Sequence, residues 1–138
     1  MEIYVDANEM VLGRLCSYVA KSVINGNKVF VFNAEKAIVS GNPKRIFKLY
    51  YERKKRGEPT HGPFYPKRAD RILKRAIKGM LPKGPRGRQL LKNVKVYLGM
   101  PKEFEGKKIT KFKKATLKES NIKKYVTLGE ISKFIGGK

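Results

Sequence analysis

The chain has 138 residues, 41 % of them apolar, and a formal net charge of +22. That length and apolar content suffice for one domain with its own core, and no apolar run approaches the roughly 20 residues of a membrane span. The charge is incompatible with an isolated, self-balanced protein, because such a chain repels itself unless a densely negative partner compensates it.

Ile3, Tyr4 and Val5 predict a short first strand, ended by Asp6, Ala7 and Asn8. Leu12, Leu15, Cys16, Val19 and Val23 then recur at helical spacing, and Asn25 with Gly26 stops that helix. Residues 28–32 are almost continuously apolar and predict a strand buried on both faces, as in a parallel sheet covered by helices. Residues 33–36 read as a turn and 37–40 as a third, short strand. Gly41, Asn42 and Pro43 open a second helix with Pro43 at its first position. Ile46, Phe47, Leu49 and Tyr50 are expected inside it, and Lys44, Arg45, Lys48 and Arg53 outside.

Residues 53–67 hold Gly57, Pro59, Gly62, Pro63 and Pro66 and read as an extended loop. Ile72, Leu73, Ala76 and Ile77, followed by Met80, make one stripe of a third helix, opposite Arg71, Lys74, Arg75 and Lys78. Gly79 is expected to stop it in the left-handed conformation. In residues 82–88 two prolines restrict the backbone, Gly84 and Gly87 let another backbone approach, and Lys83, Arg86 and Arg88 supply charge. A preset cationic loop loses little freedom on binding and suits a phosphate-rich surface. A short helix follows, then a strand in which Val94, Val96 and Leu98 alternate with Lys95 and Tyr97. Residues 107–118 read as an extended basic arm. Residues 127–135 form a last short helix, with Thr127 and Glu130 at capping-box spacing. The order of elements predicts an α/β sandwich around a mostly parallel sheet.

The charge is unevenly spread. Residues 1–43 carry four basic and four acidic side chains, so the whole excess lies in 44–138. Nucleic acid is the first candidate partner and an anionic membrane the second; a membrane-surface role would need exposed apolar helix faces that this fold requires for its core. The residues expected to touch nucleic acid are Lys44, Arg45, Arg53, Lys54, Lys55 and Arg56 in one segment, and Lys67, Arg68, Arg71, Lys74, Lys83, Arg86 and Arg88 in the other. Among the charges stand Tyr50, Tyr51, Phe64 and Tyr65; Tyr50 is expected in the core, and exposed rings could stack on unpaired bases.

Catalytic and metal motifs are missing from the sequence. Residues 79–84 have the glycine spacing of a phosphate loop, but Pro85 and Arg86 stand where Lys-Ser/Thr is required. His61 is the one histidine and Cys16 the one cysteine, so neither a zinc cluster nor an intrachain disulfide is expected, and a reducing compartment fits. The eleven carboxylates are scattered without a pair on one helix face. The N-terminus lacks a positive region followed by an apolar stretch, so no secretion signal is expected. The expectation is a non-enzyme with no cofactor, no metal and no small-molecule substrate.

Several of these stretches together resemble a known family. Residues 76–88, then Val94, Lys95, Val96, Tyr97 and Gly99, resemble the signature of the ribosomal protein L13 family. Val5-Asp6-Ala7 with Leu12-Gly13-Arg14-Leu15 resembles its N-terminus, and residues 32–36 and 39–42 resemble its second and third strands with their turns. The match runs in order from Ile3 to about Lys102. Gly62-Pro63-Phe64 and the short C-terminal part make the archaeal form the expected one. The resemblance implies a three-layer α/β/α domain with a four-stranded parallel sheet. It also implies binding to large-subunit ribosomal RNA through residues 83–88, contact with neighbouring ribosomal proteins, a role in subunit assembly, and no catalysis. A cytoplasmic protein, monomeric within the ribosome, is expected, with 1–101 as the core domain and its basic loops and 102–138 as a basic arm and short helix lying on the core or on RNA. A basic nucleic-acid-binding accessory protein outside the ribosome is the alternative.

Overall fold

The computed structural model describes residues 2–55, 66–112, 115–116 and 122–136. Arg56, His61, Phe64 and Tyr65, and most of the loop expected over 53–67, lie outside the described residues. Strand β1 (Glu2–Asp6) leads through helix α1 (Leu12–Ile24) to β2 (Lys28–Phe32), which pairs parallel with it from Glu2 opposite Lys28 to Asp6 opposite Phe32. Strand β4 (Val94–Val96) lies parallel on the other edge of β2, and β5 (Ile109–Thr110) lies parallel on the free edge of β1. The sheet order is therefore β4-β2-β1-β5, the four-stranded parallel core of an α/β sandwich.

The third strand takes a different place from the one its position suggests. Strand β3 (Ile38–Ser40) pairs antiparallel with β6 (Tyr125–Thr127) in a separate two-stranded sheet. The cause is local. Only residues 33–37 separate β2 from β3, a 3₁₀ turn (Ala34–Lys36) entered through Asn33 at φ 58°. A parallel crossover needs about a dozen residues, and both edges of β2 are already taken. Ile38 keeps one link to the first half, donating its N–H to the Met10 carbonyl at 2.9 Å.

The main sheet has two unlike faces. Val5, Val29, Val31 and Val94 join Leu15, Cys16, Val19 and Val23 of α1 and Leu73 and Ile77 of α3 (Ala69–Lys78) in one aliphatic core. The other face is aromatic. Tyr4 stacks on Phe30 at 5.1 Å, Phe32 on Tyr97 at 5.7 Å, and Phe104 covers Phe32 at 5.1 Å from a second 3₁₀ turn (Lys102–Phe104). β2 is thus covered on both faces, as its run of apolar residues requires.

All five residues of the α1 stripe are buried, and Gly26 at φ 95° turns the chain out of the helix. Burial pushes the Cys16 thiol up to about 12; its Sγ faces the Leu73 carbonyl at 3.9 Å, which ties α1 to α3. Helix α2 (Pro43–Lys55) starts at Pro43, with Asn42 Oδ1 accepting the Lys44 N–H at 3.0 Å. Ile46 and Tyr50 are buried and Phe47 half-buried, but Leu49 is 44 % exposed, against expectation. α2 packs chiefly on β6 and on α5 (Leu128–Phe134), a narrow contact that the stripe through 46, 47 and 50 fills.

Gly79 does not close α3 in the left-handed conformation: its φ is −64° and ψ −18°. The chain tightens instead, Met80 donating to the Ile77 carbonyl and Leu81 to that of Lys78. That tightening returns Leu81 to the core and leaves Met80 44 % exposed rather than on the buried stripe. Helix α4 (Pro85–Leu91) follows, and β4 ends at Val96. Leu98 is exposed, because Gly99 at φ 68° turns the chain so that its N–H meets the Glu35 carboxylate at 3.0 Å. At the start of α5, Thr127 Oγ1 accepts the Glu130 N–H at 3.2 Å, as the capping spacing predicts. Leu128, Ile131 and Ile135 are fully buried in the common core.

Candidate nucleic-acid interface

The segment between α3 and α4 is held by backbone sterics. Gly84 has φ 93°, a conformation natural to glycine. Gly87 is buried in the first turn of α4, and a β-carbon there would overlap the Pro82 carbonyl. The backbone that approaches so closely is therefore the chain's own. Lys83, Arg86 and Arg88 all point to solvent from this fixed turn. A groove of about 200 Å³ beside it is lined by Lys78, Lys83 and Arg88 together with Leu81, Pro82 and Leu91. It brings Lys78 of α3 next to Lys83 of the turn and Arg88 of α4.

A second groove, of about 240 Å³, lies between α3 and β4 and is lined by Asp70, Arg71, Lys74, Lys95, Val96 and Tyr97. Here two ammonium groups from distant parts of the chain meet. Partial burial lowers the pKa of Lys74, the charge of Lys95 lowers it further, and Asp70 works in the opposite direction. Asp70 is the one carboxylate among the nine bases of residues 67–88. It lies 3.4 Å from the Arg68 guanidinium and accepts the Arg71 N–H at 3.0 Å. One such group cannot neutralise the rest, so the groove favours an incoming anion.

Lys67 and Arg68 are exposed at the start of α3, where the Ser132 hydroxyl of α5 donates to the Lys67 carbonyl at 2.6 Å. On α2 the bases form two clusters. Lys44 and Arg45 are exposed in its first turn, and Arg45 lines a groove of about 480 Å³ with Lys48, Leu49 and Glu52. Arg53, Lys54 and Lys55 occupy its last turn, about 15 Å away along the axis. The Arg53 guanidinium sits 5.1 Å over the Tyr50 ring, and Lys54 and Lys55 lie 5.9 and 4.7 Å from the Tyr51 ring. Cations there also suit the negative end of the helix dipole. Tyr50 is buried, as expected, and Tyr51 is exposed.

The structure thus joins Arg71 with Lys74, and Lys83 with Arg88, while Lys44 and Arg45 stand apart from residues 53–55. Lys78 and Lys95 line the two grooves without having been singled out from sequence. Lys78 follows Lys74 by one helical turn, a readable signal; Lys95 was visible only as the outward residue of a strand. Among the described residues no group of three His, Cys, Asp or Glu side chains could hold a metal ion, and no helix is long and apolar enough to cross a membrane.

Residues 1–103 match the model of the family described as Ribosomal protein L13. The archaeal protein named large ribosomal subunit protein uL13 from Methanosarcina barkeri is 43 % identical over 136 residues, covering 97 % of each chain. Its namesake from Archaeoglobus fulgidus is 42 % identical over 134 residues, 96 % of this chain and 86 % of the relative. That from Sulfolobus acidocaldarius is 41 % identical over 140 residues, 98 % and 93 % respectively. The similarity to these relatives extends beyond residue 103 into the basic C-terminal part.

Proposed function

The chain belongs to the ribosomal protein L13 family, and from that premise we propose that it is a structural constituent of the large ribosomal subunit in the cytoplasm. It binds large-subunit ribosomal RNA, touches neighbouring ribosomal proteins as a monomer within the particle, and supports subunit assembly. It performs no catalysis and takes no cofactor or small-molecule substrate. The observation that carries RNA contact is the convergence of Lys78, Lys83 and Arg88 on one groove beside a turn that Gly87 locks.

The primary phosphate contacts are Arg71, Lys74, Lys83, Arg86 and Arg88, with Lys67 and Arg68 beside them. Lys44, Arg45, Arg53, Lys54, Lys55 and Arg56 form a second set. Residues 1–101 act as the core domain, to which the basic C-terminal part, 102–138, adds β5, β6 and the short helix α5 packed on it. Arginine and lysine neutralise phosphates and release counterions, so affinity is set by electrostatics, and specificity by the shape and loops of the RNA. The preset turn reduces the ordering cost of binding.

The test is binding of the purified chain to large-subunit ribosomal RNA across a salt series, with co-sedimentation on large subunits. Neutralising roughly 6–10 phosphates gives about a thousandfold or greater loss of affinity between about 50 and 200 mM salt. Failure to bind that RNA at low salt overturns the proposal. Binding that never survives sedimentation with large subunits favours an accessory nucleic-acid binder outside the ribosome.

A further inference from the structure

We propose that Phe134, backed by Phe47 and Tyr51 where the last turns of α2 and α5 meet, is a stacking platform for one unpaired base of the bound RNA, with Lys54, Lys55 and Lys133 placed for the flanking phosphates. This deepens the ribosomal reading above and rests on it. Phe134 is 54 % exposed, more than any other large apolar side chain described. The core does not need it, because α5 is anchored by Leu128, Ile131 and Ile135, all fully buried. Its ring is nevertheless held: Phe47 lies 4.8 Å behind it at a 41° tilt, and Tyr51 meets it edge-on at 6.1 Å.

The cations around it follow from helical spacing. Phe47, Tyr51, Lys54 and Lys55 share one face of α2, and Lys54 Nζ comes within 3.7 Å of where a β-carbon on Gly136 would stand, beside the end of α5. Glu52, the single carboxylate of α2, lines the groove on another face with Arg45, Lys48 and Leu49. Glu130 lies one turn back from Phe134 along α5. A held aromatic face bordered by ammonium groups matches a nucleotide, which brings a π-face and a phosphate together. Seating Phe134 in an apolar pocket of a protein would strip water from the same ammonium groups and return no charge to them.

The chain has no tryptophan, so Phe134→Trp places a single reporter on the platform. Its emission is expected to be quenched by large-subunit ribosomal RNA, with affinity close to that of the unaltered chain. Phe134→Leu, which keeps apolar contact with Phe47, and Tyr51→Leu are each expected to weaken RNA binding about tenfold with the salt slope unchanged. Thermal unfolding checks that they fold. Unquenched tryptophan, RNA binding by Phe134→Leu equal to that of the unaltered chain, or a crosslink from position 134 to a protein in assembled subunits would each overturn the platform. If the unaltered chain binds the RNA while these results fail, only the platform falls. If the unaltered chain does not bind, the ribosomal reading falls with it.

Discussion

Helices α1 and α3 lie against each other and fill one core, yet their outer faces have nothing in common. α1 shows solvent Arg14, Ser17 and Lys21 within a segment of zero net charge, whereas α3 shows Arg71, Arg75 and Lys78 and keeps Lys74 half-buried near Lys95. Inner faces are set by what must be excluded from water, and outer faces by what must be met. The repulsion between Lys74 of α3 and Lys95 of β4 does not help those two elements to pack. The polyanionic partner proposed above would offset that repulsion on α3.

The comparison breaks most directly if the two helices prove unequal in the core. Leu15→Ala and Leu73→Ala remove fully buried side chains and are each expected to cost about 2–5 kcal/mol in urea unfolding. Cys16, buried with its thiol pushed up to about 12, supplies a second readout: it resists alkylation in the native chain and reacts when α1 and α3 separate. A large loss for one helix and none for the other would end the claim of a shared core.

Two glycines beside α3 sharpen the picture with opposite signs. Gly87→Ala drives a methyl group into the Pro82 carbonyl and is expected to cost about 3 kcal/mol and to lower RNA affinity by moving the turn. Gly79→Ala meets only ordinary contacts, the nearest at 3.5 Å, at φ −64°, and is expected to stabilise by about 0.5 kcal/mol.

The outer faces come next in size. Changing Arg71, Lys74, Lys83, Arg86 and Arg88 together to glutamine should reduce affinity for large-subunit RNA about a hundredfold at about 150 mM salt, and flatten the salt slope by about 3–4. Lys21→Gln with Lys28→Gln should change it less than about twofold. Equal losses would erase the distinction between the neutral N-terminal segment and the basic remainder of the chain.

The smallest effect concerns Lys74→Met. Because the fold lowers the pKa of Lys74, its charge opposes folding below that folded value, and the penalty is relieved as pH rises through it towards the ordinary lysine range. The variant should therefore melt about 1 °C higher near neutral pH, a small gain because solvent screens the group. That gain should shrink at alkaline pH, while RNA affinity falls about fivefold. Lower stability at neutral pH would refute the repulsion.

What the sequence disclosed follows from range. The α1 stripe, the Pro43 start, the Thr127 cap and the outward bases of α3 depend on neighbours within a turn or two, and all were readable. β5 was not, because a two-residue strand is defined by Tyr4 and Val5 more than a hundred residues earlier. Nor was the departure of β3 from the main sheet, which depends on β6, or the meeting of Lys74 with Lys95, which depends on β4 docking beside α3. Leu49 and Met80 carry apolar signals that narrow helix contacts leave unused. Phe134 likewise carries an apolar signal that the core leaves unused, since Leu128, Ile131 and Ile135 anchor the last helix.

The pairing of β1 with β5 also fixes an order of events while the chain is being made. A nascent chain that has delivered β1, α1 and β2 still carries an open outer edge on β1, and that edge cannot be filled before Thr110 has been polymerised. Throughout that interval the 21 cations of residues 44–108 emerge behind a half-built sheet. A polyanion gripping them early would reach the protein before its last strand does.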